Sequence, residues 1–495
     1  MATFALLFWP VIALVIFARL KAARGLIWSV MIGYLFLPEA IELDLPGLPP
    51  FDKSGSIAVG AVLGVLLFRD PKPATARQAR PGFTLILGIL GGILLLSPVM
   101  TVLQNPDTLI NTDVVRKGLS FSDLRSMVFS SMVTFVPFIL AYRVIHHRDH
   151  YREILVSIVV LGMFYTLLAL VEMRMSPQMN IWVYGYFQSE WYQHERGGAY
   201  RPLVFLRHGL WLGFFLLTAL LAALTLSHRR DDRKTQYLLS ALWLLLILFL
   251  SRNLGATILA LLIVPMLFFF KTQTQVRLAA AMAIFFFIYP VVRASDMSPA
   301  NFLVEWTRAV SPDRAASLWF RLSNEDRLIE RAMERPVFGW GIWGRARVLN
   351  ERGIDLSVTD GIWIVVLGKR GWAGYLAQFG ILLLPLVFLA RRNKTGPPLP
   401  EIAGMALIMG ANFLYMIPNS TLSPIGMLIT GTLAASLRAA HDTDPDGVHA
   451  DKATAPRAVR YSRFSGPTVK IADTGGAAMP TDRPTSRGSE RYKRV

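Results

Sequence analysis

About thirteen apolar runs, each bounded by charge, Pro or Gly, divide this chain into segments of the length a bilayer demands. They lie near Ala2–Ala18, Gly25–Leu37, Ser54–Phe68, Gly82–Leu103, Ser126–Ile145, Glu153–Met173, Gly209–Ser227, Tyr237–Leu250, Asn253–Phe270, Arg277–Val292, Trp372–Ala390, Glu401–Ile417 and Leu422–Leu437. With 53% hydrophobic and 17% charged residues and a mean hydropathy of +0.44 over 495 positions, the chain cannot keep its apolar surface covered as a soluble globule. The predicted fold class is therefore all-α: a polytopic transmembrane helix bundle of about 12–13 spans over residues 1–438, with two large loops at 174–208 and 293–360. The first run has no basic stretch ahead of it and no soluble domain behind it, so it reads as a retained span and not a removable signal. Gly60 and Gly64, like Gly88 and Gly92, sit one turn apart, which predicts close helix packing at both pairs.

Basic residues recur in every second connection, a bias that marks the cytoplasmic side. They are Arg19, Lys21 and Arg24; Arg69, Lys72, Arg77 and Arg80; Arg143, Arg148 and Arg152; Arg229, Arg230, Arg233 and Lys234; Lys271; and Arg391, Arg392 and Lys394. The intervening connections open with Glu39, Glu42, Asp44 and Asp52 and include both long loops, so these are expected to be extracytoplasmic, with the N-terminus outside and the C-terminus inside. Much of the net charge of +18 lies in the basic connections and in residues 439–495, a Pro-, Gly-, Ser- and Arg-rich stretch that predicts a disordered basic cytoplasmic tail. No basic stripe interleaved with aromatics suggests nucleic acid, so the charge points to membrane lipids. In the tail, Asp442, Asp444, Asp446 and Gly447 imitate the opening of a calcium loop, but Ala453 stands where a bidentate carboxylate belongs, so no metal site is expected. The absence of cysteine excludes disulfides, thiolate metal sites and cysteine nucleophiles.

Arginines gather where the charge bias expects few. Arg196, Arg201 and Arg207 lie in the first long loop, Arg252 in a short connection on the same predicted side, and Arg321, Arg327, Arg331 and Arg335 in the second long loop. Such a convergence at a membrane face suits an anion. The first loop also carries Trp182, Tyr184, Tyr186, Phe187, Trp191, Tyr192 and Tyr200, which serve either as an interfacial belt or to stack on sugar faces. Arg201 leads the loop's candidates because Pro202 and an apolar turn follow it, with Arg207 and His208 at the mouth of the next span behind it. Arg252 precedes a helix whose free amides face the same anion, or else it snorkels to the interface. In the second loop, Ser323 reads as the cap of a helix Asn324–Glu334 that Pro336 ends. Arg327, Arg331 and Arg335 then share a solvated face beside Glu330 and Glu334, while Arg321 stands outside that stripe and is the stronger site candidate.

Further on, Pro336, Val337, Phe338, Gly339, Trp340 and Gly341 are followed by Thr359, Asp360, Gly361, Ile362 and Trp363, then by Gly371, Trp372, Ala373 and Gly374. This text resembles the O-antigen ligase and O-antigen polymerase superfamily of bacterial membrane glycosyltransferases, whose members carry a Pro-aliphatic-Phe-Gly-x-Gly turn, a polar pair opening a short helix, and a Gly-x-x-Gly turn into the next span. The resemblance covers roughly the second half of the membrane domain and extends to Arg201, to Ser251 with Arg252, and to Arg321. It implies a site on the outer side of the bacterial inner membrane, a polyprenyl-diphosphate-linked glycan donor, a glycan or lipid-linked acceptor, and polysaccharide assembly proteins as partners. In that reading Arg201, Arg252 and Arg321 bind the departing diphosphate, and neither metal nor cofactor is needed because guanidiniums carry the charge. Asp360 stands where many ligases have a His that assists the acceptor hydroxyl, and it reads either as a general base or as a helix cap. Trp191, Tyr200 and Trp340 join Arg207 and His208 as secondary substrate-binding candidates. Two other classes stay open: a transporter or flippase for a lipid-linked saccharide, which would bind near the midplane on interrupted helices, and a noncatalytic subunit of a polysaccharide assembly complex.

Overall fold

The computed structural model describes residues 1–44, 50–68, 81–110, 112–196, 198–228, 232–295, 300–391, 397–420 and 422–438. Within them the protein is all-α, and the only strands are two antiparallel ribbons, β1 (Leu109–Ile110) with β2 (Val115–Arg116) and β3 (Glu195–Arg196) with β4 (Ala199–Tyr200). The helices are α1 (Ala2–Phe36), α2 (Lys53–Leu67), α3 (Pro81–Leu103), α4 (Phe121–Val144), α5 (Arg148–Met175), α6 (Met179–Tyr184), α7 (Gly209–Ser227), α8 (Lys234–Leu250), α9 (Leu254–Phe269), α10 (Thr272–Ala294), α11 (Ala300–Val310), α12 (Pro312–Met333), α13 (Ile362–Ala390), α14 (Pro400–Met416) and α15 (Pro424–Ser436). Seven of them, α1, α3, α4, α5, α7, α10 and α13, are long and apolar enough to cross a bilayer, and α2, α8, α9 and α15 are shorter apolar helices. The chain is a multi-pass membrane protein. The expectations for Arg69, Lys72, Arg77, Arg80, Arg229, Arg230, Arg392, Lys394, the Arg196 side chain and the tail from His441 onward fall outside the described residues.

The two apolar runs expected at the N-terminus form the two halves of α1, which breaks at Lys21 with a positive φ of 64°. The chain folds back there: a Cβ on Gly25 would lie 2.6 Å from the Phe17 ring, and one on Gly33 would lie 3.0 Å from the Trp9 ring. α2 runs beside the first half, with Gly60 against Ala13 and Gly64 against Phe17, so this glycine pair does allow close packing. The second pair does not. A Cβ on Gly88 or Gly92 meets nothing within 4 Å, because α3 buries Phe83, Leu94, Ser97, Pro98 and Thr101 and turns its glycines away.

The largest correction concerns the second long loop. α12 starts at Pro312 with Ser311 at its N-cap, so Ser323 caps nothing and its hydroxyl donates to the Phe320 carbonyl at 3.0 Å inside the helix. α11, a short helix preceding it, has no counterpart among the expected segments.

α7 and α14 are buried along nearly their whole length, as helices apolar on every side must be. They pack on each other, α10 packs along α14, and α13 packs on α10. At one end of the bundle, the ends of α5, α8, α10 and α14 meet the starts of α7, α9 and α13. Tyr415 Oη donates to Leu210 O at 2.9 Å, Ile362 N donates to Asn419 O at 3.2 Å, and Tyr289 packs edge-on against Trp363 at 5.2 Å.

Candidate functional site

Arg201 is presented by a segment that the bundle grips through buried polar groups. Glu172, at the end of α5 and 1% exposed, accepts from the amides of Met179 at 3.0 Å and of Leu203 and Val204 at 2.7 Å each. Gln188 Nε2 donates to the carbonyls of Val204 and Leu206, and Tyr165 Oη accepts from Phe205 N. A buried carboxylate bonded to three backbone amides is a strong anchor, because each bond is charge-assisted and the loop amides have no water to turn to. The Arg201 stem crosses the start of α7, where a Cβ on Gly209 would come within 2.3 Å of it, and its Nη2 donates to the Arg252 carbonyl at 3.3 Å. Arg252 is exposed and has a positive φ of 55°, a left-handed conformation that costs a non-glycine residue about 1–3 kcal/mol. Buried Ser251 and Asn253 on either side hold that turn through the bond from Asn253 Nδ2 to Ser251 Oγ at 2.9 Å.

Arg321 and Asp360 form a second pair, Nε to Oδ2 at 3.5 Å, with their side chains 46% and 31% exposed. Asp360 is not a helix cap: the N-cap of α13 is Gly361, and the amide of Ile362 goes to Asn419 instead. The backbone at this point is tightly placed, with Ser420 Oγ donating to Asp360 O at 3.0 Å and a Cβ on Gly361 falling 2.1 Å from Ile417 O. Burial pushes the Asp360 carboxyl above the usual carboxylate range, and Arg321 opposes that shift. One turn along α12 from Arg321, Glu325 bonds Arg293 Nε at 3.2 Å and Tyr289 Oη at 3.3 Å. Burial raises Glu325 to about 7 against the pull of Arg293, and the Asp360 charge adds to the rise. Arg293 is 8% exposed and also donates to Leu322 O at 2.9 Å and pairs with Asp326 at 2.7 Å, so it ties α10 to the turn of α12 that carries Arg321.

The four leading candidates thus fall into two contacting pairs, Arg201 with Arg252 and Arg321 with Asp360. The segment Tyr415–Ser420 links them: Tyr415 is within electrostatic reach of Arg201, a Cβ on Gly255 would lie 3.6 Å from its ring, and Asn419 and Ser420 hold Ile362 and Asp360. Glu172, Arg293, Glu325 and Tyr415 were not singled out from sequence. Glu172 carried a usable signal, a carboxylate at the end of an apolar run, where ionisable groups mark function.

The glycine-rich motifs prove to be one clasp. Trp340 N and Gly341 N donate to Gly368 O at 2.9 Å and Lys369 O at 2.8 Å, while Trp372 N and Ala373 N donate to Pro336 O at 2.7 Å and Val337 O at 3.0 Å. Gly339 (φ 70°) and Gly371 (φ 60°) sit at its centre, where a Cβ on either would strike the other segment's backbone within 2.5 Å. The clasp fixes α12 relative to α13, and so Arg321 relative to Asp360.

The secondary candidates divide. Trp340 is 4% exposed and lies beneath Arg331 at 3.5 Å and Arg335 at 4.4 Å, so it belongs to the scaffold of the clasp and is not an exposed ring. These contacts correct the solvated arginine face in part: Arg331 and Arg335 turn inward onto Trp340, while Arg327 stays exposed. His208 caps α7, its Nδ1 accepting from Leu210 N at 3.1 Å, and packs on His194 at 4.6 Å. Trp191, 39% exposed, packs edge-on against Tyr200 at 6.3 Å, and Arg207 is exposed. Among the described residues no group of three or more His, Asp or Glu is placed to hold a metal ion.

Fold and site together define a multi-pass helical membrane protein with paired arginines and a buried-leaning carboxylate at one end of its bundle. No family model, characterised protein or solved structure matches the chain.

Proposed function

We propose that this protein is a membrane glycosyltransferase of the O-antigen ligase or polymerase type, transferring a polyprenyl-diphosphate-linked glycan to an acceptor hydroxyl on the outer side of a bacterial inner membrane. The observation that carries the reading is Asp360, a carboxylate raised by burial, facing Arg321 and uncommitted to any helix amide. In the reaction the acceptor oxygen attacks the anomeric carbon and its proton passes to Asp360. The bond from that carbon to the diphosphate oxygen breaks, and Arg201, Arg252 and Arg321 neutralise the charge on the leaving diphosphate. Forked guanidinium donors suit diphosphate oxygens better than point charges do. The position of these groups at the helix ends, and not along the middle of the spans, supports a transferase over a transporter or flippase.

The test compares Asp360→Asn with Arg321→Lys in donor binding and single-turnover transfer. Asp360→Asn is expected to bind donor normally and to lose transfer by 10²-fold or more, the usual worth of a general base. Arg321→Lys is expected to weaken donor binding by roughly tenfold, about 1.4 kcal/mol. Normal turnover by Asp360→Asn removes Asp360 as the base.

A further inference from the structure

Beyond the clasp, Arg331, Arg335 and Arg345 bond two carboxylates, and a fourth arginine, Arg116, from another part of the chain, lies beside them. Arg331 lies ten residues past Arg321 on α12, roughly 15 Å along the helix, so this group is separate from the Asp360 site. Asp107 divides its oxygens between Arg335 Nη2 at 2.9 Å and Arg345 Nη2 at 3.1 Å, and Glu334 is taken by Arg331. Arg116, on β2, packs its Nε against Gly344, where a Cβ would lie 3.1 Å away, and it acts on the charge of Arg345. Arg345 is completely buried, donating to the carbonyls of Asp107 and Lys117 at 3.0 Å each, and Arg331 Nη2 donates to the Arg345 carbonyl at 3.2 Å.

The hydrogen bonds leave donors over. Arg116 Nη1, Arg331 Nε and Arg345 Nε are buried N–H groups that find no acceptor in the structure. A buried charged donor without an acceptor costs about 1–3 kcal/mol or more, and here three of them lie among guanidiniums that outnumber their counter-charges four to two. Trp340 holds the planes of Arg331 and Arg335, so neither charge relieves the repulsion by swinging into solvent. The chemistry that answers two excess positive charges and three leftover N–H donors from three arginines is a dianion with oxygens on several sides.

We propose that Arg116, Arg331, Arg335 and Arg345 form a second anion site that takes a phosphate group, presented by a lipid headgroup or by a phosphorylated saccharide. Half-buried Arg116, Arg331 and Arg335 are the groups it approaches, and Arg345 is the charge beneath them. The site does not depend on the transferase reading, because a carrier or an assembly subunit would use it equally.

The experiment measures inorganic phosphate binding to the full-length purified protein by calorimetry and by the thermal unfolding midpoint, against chloride at equal ionic strength. Phosphate is expected to bind saturably and raise the midpoint, and Arg116→Gln to weaken binding at least tenfold. That variant breaks no hydrogen bond seen in the structure and removes one unsatisfied charged donor, so its midpoint without phosphate should equal or exceed the parent's. Arg331→Lys, which keeps charge and loses the fork, serves as the second variant and is expected to weaken binding in the same direction. Phosphatidic acid in nanodiscs and glucose 1-phosphate are then used as competitors, and displacement by one of them identifies the source. Phosphate no better than chloride, binding that responds to Arg321→Lys but not to Arg116→Gln, or displacement by neither competitor would overturn the proposal.

Discussion

The carboxylates Asp360 and Glu325 sit close enough to feel each other, and burial raises both. The groups facing Glu325 are Arg293 and Tyr289 from α10 and Asp360 ahead of α13, with Asp326 on its own helix paired to the same Arg293. A carboxyl whose folded pKa is raised, here from 4.5 to about 7, holds its proton more tightly folded than unfolded. Its contribution to stability is therefore fully present at low pH and is lost as pH rises through that window. The unfolding midpoint of wild-type protein in detergent should fall relative to Glu325→Gln between pH 4.5 and 7.5, and parallel profiles would contradict the raised carboxyl. At this scale Arg201, Arg252 and Arg321 stand out in the sequence as charges beside apolar runs and Asp360 through the family resemblance, and the structure brings them into two contacting pairs. Arg293 and Glu325 do not stand out, because their meaning comes from a contact between α10 and α12, 32 residues apart. The burial of Trp340 was not legible because an exposed loop aromatic and one roofed by two arginines read the same in sequence.

Among the elements, the clasp between Pro336–Gly341 and Gly368–Ala373 gives the motif text a mechanical role. Gly371→Ala would place a Cβ 2.4 Å from the Val337 carbonyl at φ 60°, adding about 1–3 kcal/mol of backbone strain to a clash with rigid backbone. Gly88→Ala meets nothing. Thermal unfolding should show a clearly lowered midpoint for Gly371→Ala and an unchanged or slightly raised one for Gly88→Ala, and equal shifts would mean the clasp holds nothing. The spans were legible because a bilayer demands long apolar runs, and the break at Gly371 was legible from its glycines. The start of α12 was not, because its first turns mix charge with apolar residues as a loop does, and Ser323 matches a cap in sequence that the helix passes straight through.

For the whole molecule, the seven long apolar helices set a multi-pass architecture, and the sides that the alternation of basic connections predicts are open to direct test. Reporter fusions at Tyr186 and Leu349 should both read outside and one at Lys271 inside, and Tyr186 and Leu349 on opposite sides would dissolve the site. The transferase reading and its rivals separate most directly in one reconstitution. Purified protein in liposomes is given a defined polyprenyl-diphosphate oligosaccharide and an acceptor, without nucleotide or added metal, and both glycan transfer and donor sidedness are followed. The account predicts glycan on the acceptor with release of free polyprenyl diphosphate. Donor that changes leaflet intact, with no glycan reaching the acceptor, would contradict it.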